Sequence, residues 1–211
     1  MKSPVQVQLR VRVRARTAAR LDRVRRQQVR RGAAAVAAHP ELALVDADGE
    51  ALPAAERRAR KAERRALVAT WRAQGRLLDT NGLLADAAVR AELTARGWDR
   101  SWPDPGPDAP APARWPGARS TGFPAAVVVP LETALVRQVR AACWAHSAPA
   151  ITAIRDWRQA HPDLTHRWQA SALWAEYDAL ADQVVTPAAV YRSGLDRLLF
   201  TAHTGDPLGD L

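Results

Sequence analysis

The sequence predicts a mainly α-helical protein, a helical bundle with one basic β-strand at its N-terminus. Three observations carry this. Val5 to Arg16 alternates apolar and polar residues, the period of a half-buried strand. Most of the remaining chain repeats its apolar residues at helical spacing between Pro, Gly, Asp and Ser boundaries. Much of the 47% apolar content is alanine, and eight Trp stand against two Phe and two Tyr. This composition suits a thin helical core in which tryptophan supplies the bulk.

In the alternating stretch, Val5, Val7, Leu9, Val11, Val13 and Ala15 share one face. Gln6, Gln8, Arg10, Arg12, Arg14 and Arg16 share the other. Same-face neighbours in a strand lie about 7 Å apart. Four guanidiniums in such a ladder repel one another unless an anion lies against them. A strand does not stand alone, so this one needs a partner. The candidates are Ala126–Val129 in the same chain or a second copy across a homodimer axis.

Thr17 is placed to cap a helix running to about Ala38, with Leu21, Val24, Gln28 and Ala35 as its inner stripe. His39-Pro40 ends it, because the residue before proline avoids the helical region. Asp46 to Gly49 reads as a turn. Pro53 then opens a helix to about Leu78. Its Glu56–Arg60 spacing and its mixed charges around Glu63 read as a solvated, salt-bridged face. Asp79 to Gly82 reads as a break, followed by a helix from Leu83 to Ala95 closed by Gly97.

Asp99 to Pro124 holds seven of the fifteen prolines and reads as a linker or loop. Trp98, Trp102 and Trp115 read as anchors pinning it to the body, with exposed stacking platforms as the alternative. Beyond it, Pro130–His146 and Pro149–Ala160 read as two helices, with Ser147 capping the second. Leu135, Val136, Val139 and Cys143 of the first, and Ile151, Ile154 and Trp157 of the second, point inward. Asp163 caps a further helix to about Val185, on which Leu164, Trp168, Ala172, Ala175 and Leu180 recur. Thr186-Pro187 opens the last, carrying Val190, Tyr191, Leu195, Leu198 and Leu199. Gly205 to Gly209 reads as a loop. The organisation is thus a basic strand plus helical segment over 1–98, a Pro/Gly-rich stretch over 99–125 and a helical segment over 126–211.

Charge narrows the function classes. Residues 1–31 carry eleven basic residues and one acid, whereas residues 32–211 carry 20 basic and 21 acidic. A concentrated basic arm on a near-neutral body is the footprint of a protein that meets a polyanion. Only two of the 31 basic residues are lysine. Arginine suits bidentate phosphate contact, although a GC-rich coding sequence gives the same bias. The single Cys143 excludes an intramolecular disulfide framework. The basic N-terminus lacks the continuous apolar region of a signal peptide, so a cytoplasmic setting is expected.

Catalytic and metal chemistry find little support. Cys143 and His146 lie three apart on a helix, but no CxxC or HxxxH pair supplies further zinc ligands. His161 and His166 flank Asp163, where capping explains them. Asp156 with Asp163, or Glu176 with Asp178 and Asp182, are the carboxylates that a two-metal nuclease would need, but a polar helix face is the better explanation of them. There is no Walker glycine loop, GxSxG, GxGxxG or HExxH. No catalytic residue, metal or cofactor is expected.

A family resemblance rests on two stretches. The first is the basic strand Val7–Thr17 leading straight into the Arg-rich segment Ala18–Arg31. The second is Tyr191-Arg-Ser-Gly-Leu195-Asp196-Arg197-Leu-Leu-Phe200, followed by Gly205-Asp206-Pro207. Together they resemble the N-terminal, non-catalytic part of TnpB-type transposon-encoded RNA-guided nucleases, relatives of type V CRISPR effectors. The departures are a missing turn and glutamine after the first strand, and Leu199-Phe200 where the family has an aromatic pair. The sequence ends where the family's RuvC domain and zinc ribbon would follow. The resemblance therefore implies a protein of a mobile element that holds nucleic acid without cleaving it.

These readings converge on binding of DNA or RNA through the phosphate backbone. Arg10, Arg12, Arg14 and Arg16 are the expected contacts on the strand, and Arg20, Arg23, Arg26 and Arg30 extend the track along the first helix. The alternative is a helical assembly module whose basic strand takes an acidic protein partner or a second copy of itself. A membrane surface fits poorly, because the apolar face of the arm is a strand and not an amphipathic helix.

Overall fold

The computed structural model describes residues 5–111, 114–116, 122–166 and 170–200. The alternating segment forms β1 (Gln6–Val13), paired antiparallel with β2 (Ala125–Glu132) from Gln6 opposite Glu132 to Val13 opposite Ala125. The partner therefore lies in the same chain, on the far side of the proline-rich stretch. It is twice as long as the expected Ala126–Val129. Pro130 lies within β2 and does not open a helix; a two-stranded sheet consists of edge strands, where proline is tolerated. Val11, Val13, Val129 and Leu131 are buried on the inner face.

Six α-helices are described, and 62% of the described residues are helical. The first, α1 (Ala15–Ala37), starts earlier than its expected cap. The amides of Thr17 and Ala18 already donate to Arg14 O. Thr17 is therefore a buried first-turn residue and not the cap, and its hydroxyl donates to Asp196 Oδ1 at 2.7 Å. Leu21, Val24 and Gln28 face inward as expected, and Ala35 is half-buried. The turn at Asp46–Gly49 is present: Asp46 Oδ1 accepts from the amides of Asp48 and Glu50.

Helix α2 (Ala54–Ala73) stops five residues short of the expected Leu78. Gly75 adopts a left-handed conformation (φ 71°), and the amide of Arg76 returns to Trp71 O, which closes the helix. Trp71 is the one buried residue of α2. Arg60 and Arg64 donate to Ala43 O and Leu42 O and so brace the loop that joins α1 to α2. Helix α3 (Asn81–Ala95) begins inside the expected break, because Thr80 Oγ1 accepts from the Leu83 amide and caps it. Gly97 (φ 68°) closes it as expected.

Helix α4 (Thr133–Ala160) runs unbroken for 28 residues, about 42 Å, where two helices were expected. Ser147 does not cap; it bonds both the amide and the carbonyl of Val185, tying α4 to the following segment. Proline in a helix interior removes one backbone bond. Here Val139, Cys143, Ile151 and Ile154, all buried, hold the two halves in line across Pro149. Helix α5 (Ser171–Asp182) is shorter than the expected Asp163–Val185. Residues 161–166 form turns, and Ala170 sits in the left-handed region (φ 50°) just before the helix. Ala172 and Ala175 are exposed rather than inward, and Tyr177 and Ala181 are buried in their place. Trp168 and the loop at Gly205–Gly209 lie outside the described residues. Helix α6 (Pro187–Phe200) matches its expected start and buries Val190, Tyr191, Leu195 and Leu199.

The core forms where the inner face of the sheet meets α3, α4 and α6. Glu92 of α3 is 1% exposed within it. Arg96 and Arg197 donate to its two oxygens at 2.7 and 2.8 Å. Burial pushes its carboxyl up, but hydrogen bonds from Arg197, Ser193 and Arg96 outweigh burial and hold it below the ordinary glutamate value. A carboxyl depressed in the folded state stabilises the fold above its unfolded value, and this contribution is lost as pH falls through the folded value. We expect Glu92→Gln to cost on the order of 2 kcal/mol at neutral pH, less than a fully enclosed pair, because both arginines reach solvent. Thermal unfolding of the variant and the parent should converge as pH drops below about 4.3.

Candidate nucleic-acid interface

The alternation of β1 places Arg10 and Arg12 on the outer face of the sheet, opposite Val128 and Ala126. All four residues are exposed, Val128 by 50%. The expected four-rung ladder is cut to two rungs, because the strand ends at Val13. Arg14 becomes the extended residue that leads into α1, and Arg16 lies in the first turn. Arg16 sits over the Phe200 ring at 5.5 Å, joining the start of α1 to the end of α6. The start of α1 and the end of α6 are thus in contact, through this stack and the Thr17–Asp196 bond.

On α1, Arg23, Arg26 and Arg30 are exposed and recur at three- and four-residue spacing along one face. With Ala19, Asp22 and Gln27 they line a shallow open groove of about 500 Å³. Arg20 departs from the expected track: it is half-buried, and its Nε is enclosed without a hydrogen-bond partner. Asp22 accepts from Arg25 at 2.8 Å and pairs with Arg26 at 2.6 Å, and these arginines hold its carboxyl below the usual aspartate range. The single acid of the arm thus offsets Arg25 and Arg26. Arg10, Arg12, Arg14, Arg23 and Arg30 have no ion-pair partner among the described residues.

A second basic surface was underestimated in the sequence. The Glu56–Arg60 pair forms at 2.7 Å as expected. Arg57, Arg58, Lys61 and Arg65 are nevertheless exposed and without ion pairs among the described residues, so the face is only partly salt-bridged. Seven basic residues against one acid on α1, and seven against two on α2, make this helix pair more positive than the whole chain. The available signal was the surplus of cations over carboxylates within Ala54–Ala73.

The tryptophans beside the proline-rich stretch act as anchors. Trp98 and Trp115 are buried, and Trp102 is half-buried with its indole N–H on Trp98 O. His146 stacks on Trp98 with ring centroids 4.4 Å apart, and Cys143, one turn earlier, is fully buried. Burial pushes the Cys143 thiol up to about 12. We expect a thiol-reactive dye at pH 8 to label it only when denaturant opens the core. Labelling of the folded chain at the rate of a free thiol would contradict this packing. Among the described residues, no group of three or more His, Cys, Asp or Glu side chains is placed to hold a metal ion, and no helix is long and apolar enough to cross a membrane.

Compared with known family models, curated proteins and solved structures, the chain shows no significant match to any of them.

Proposed function

We propose that this chain is a non-catalytic nucleic-acid-binding protein that grips the phosphate backbone along the outer face of β1 and the exposed face of α1. The supporting observation is the set of five exposed guanidiniums without ion pairs among the described residues, Arg10 and Arg12 on β1, Arg14 at the junction, and Arg23 and Arg30 on α1. Keeping like charges together without counter-charges opposes folding, and a polyanion laid along them removes that opposition. Arg16 and Arg26 flank the track, and Arg57, Arg58, Lys61 and Arg65 enlarge the positive field around it. Phosphate contacts position a protein without reading sequence, so this reading predicts weak sequence preference. The N-terminal resemblance to TnpB-type proteins points the same way, towards a mobile-element protein that holds nucleic acid.

The alternative is an assembly module that uses the same arginines on an acidic protein partner. A competition assay separates the two. Labelled single- and double-stranded DNA and RNA are bound to the full chain at low salt and challenged with polyglutamate of equal total charge. Retention of nucleic acid supports the proposal. Failure to bind any of the four, or complete displacement by polyglutamate, favours the acidic partner.

A further inference from the structure

The exposed face of α1 is built from Arg, Gln and Ala. Ala19, Arg23, Arg26, Gln27, Arg30 and Ala34 recur along it, opposite the buried stripe of Leu21, Val24, Gln28 and Gly32. Ala33 and Ala37 carry the same face on to the end of the helix. Asp22 lies at its side, held by Arg25 and Arg26. Alanines before and after the arginines leave nothing bulky to keep the helix away from a surface laid along it. The 23 residues of α1 make that face about 34 Å long.

The backbone that carries the cations is held in place. β1 pairs with β2 over eight residues, and Thr17 ties the start of α1 to Asp196 of α6. Arg10 and Arg12 therefore stand about 7 Å apart along the strand. Arg23 and Arg30, two turns apart, are separated by about 10.5 Å along the helix. Neither element offers a ring on which a base could stack, because residues 1–38 contain no Phe, Tyr, Trp or His. Phe200 reaches the start of α1, but its ring already lies under Arg16. Trp98 and Trp115 are buried elsewhere.

We infer that this track takes a double helix in preference to a single strand, with the duplex lying along the exposed face of α1. The inference rests on the proposed nucleic-acid binding and specifies its ligand. A duplex presents one charge per ~1.7 Å of axis on a stiff frame, so fixed guanidiniums meet phosphates without reordering them. A single strand has to be ordered along the track, which costs conformational entropy. Proteins that hold single strands offset that cost by stacking bases on aromatic side chains, and β1 and α1 carry none. Over five contacts, slopes of about −0.9 and −0.7 per phosphate differ by about one unit. Two ligands bound equally at ~1 M salt then differ by about 20-fold at ~50 mM.

The test measures binding of the full chain to a DNA duplex, to each of its separated strands, and to two single strands of equal charge, oligothymidylate and an abasic strand. At ~50 mM salt the duplex should bind about 20-fold more tightly than either separated strand. Oligothymidylate and the abasic strand should bind alike, since no base is stacked. Ala34→Glu with Ala37→Glu, which adds charge to the α1 face beyond the arginines, should weaken duplex binding by about 10-fold or more. The same changes at Ala172 and Ala175, exposed on α5, add equal charge and should weaken it far less. Single strands bound as tightly as the duplex, a clear preference for oligothymidylate over the abasic strand, or equal losses in the α1 and α5 variants would overturn the inference and leave backbone binding standing. Failure of every ligand to bind would overturn the proposed function as well.

Discussion

Gly194→Ala is expected to destabilise the fold by about 2–3 kcal/mol, and Gly194→Leu to prevent folding at physiological temperature. Gly194 lies where α6 crosses α3. A Cβ added there would sit 2.7 Å from Ala88 O, 3.1 Å from Ala88 C and 3.2 Å from Glu92 Cβ. The nearest atoms belong to helical backbone, so relief requires the two helices to separate. Separation would loosen the Arg197–Glu92 ion pair, the Thr17–Asp196 bond and the Arg16–Phe200 stack, all of which depend on the position of α6. For a chain of this size the alanine variant should lose roughly 5–10 °C in Tm. Gly106→Ala is the control, since nothing lies within 4 Å of its added Cβ. A Gly194→Ala variant as stable as the parent would mean that α3 and α6 do not cross at this distance.

Arg10→Gln, Arg12→Gln, Arg14→Gln and Arg23→Gln combined should weaken nucleic-acid binding by 100-fold or more at low salt without lowering Tm. These side chains are exposed and have no ion pair among the described residues, so their removal breaks no described ion pair and relieves like-charge repulsion. A matched variant on the second basic surface, with Arg57, Arg58, Lys61 and Arg65 all changed to Gln, should weaken binding far less, because it alters only the surrounding field. If the α2 variant lost more affinity than the β1–α1 variant, the contact surface would lie on the wrong helix. Each variant removes four positive charges and the two have the same net charge, so a purely nonspecific charge effect would weaken both alike.

The elements that dominate local patterning were the legible ones. The period-two run of β1 and the stripe Leu21, Val24, Gln28 were readable because each residue's environment follows from its neighbours two to four positions away. Thr186-Pro187 marked the start of α6 for the same reason. The errors arose where a tertiary contact replaced a local signal. Thr17 and Ser147 look like caps in sequence, but their hydroxyls are committed to Asp196 and Val185, 179 and 38 residues away. Pro149 looks like a boundary, and the buried face that continues across it keeps α4 whole. The strand's partner was found, but its length was cut short because Pro130 reads as a helix start when its edge position is unknown. At the candidate site, exposure of Arg10, Arg12, Arg14, Arg23 and Arg30 followed from the strand and helix periods. The enclosure of Arg20 did not, because it depends on segments far away in sequence.

The central claim is that several guanidiniums of β1 and α1 neutralise phosphates at once. It is tested most directly by the affinity of the full chain for a labelled oligonucleotide over a series of salt concentrations. Each neutralised phosphate contributes about −0.7 on single strands and −0.9 on duplex DNA to the slope of log affinity against log salt. Five such contacts predict slopes of about −3.5 on a single strand and −4.5 on a duplex. A slope shallower than about −1 on both, or no binding at low salt by the folded chain, would contradict the account.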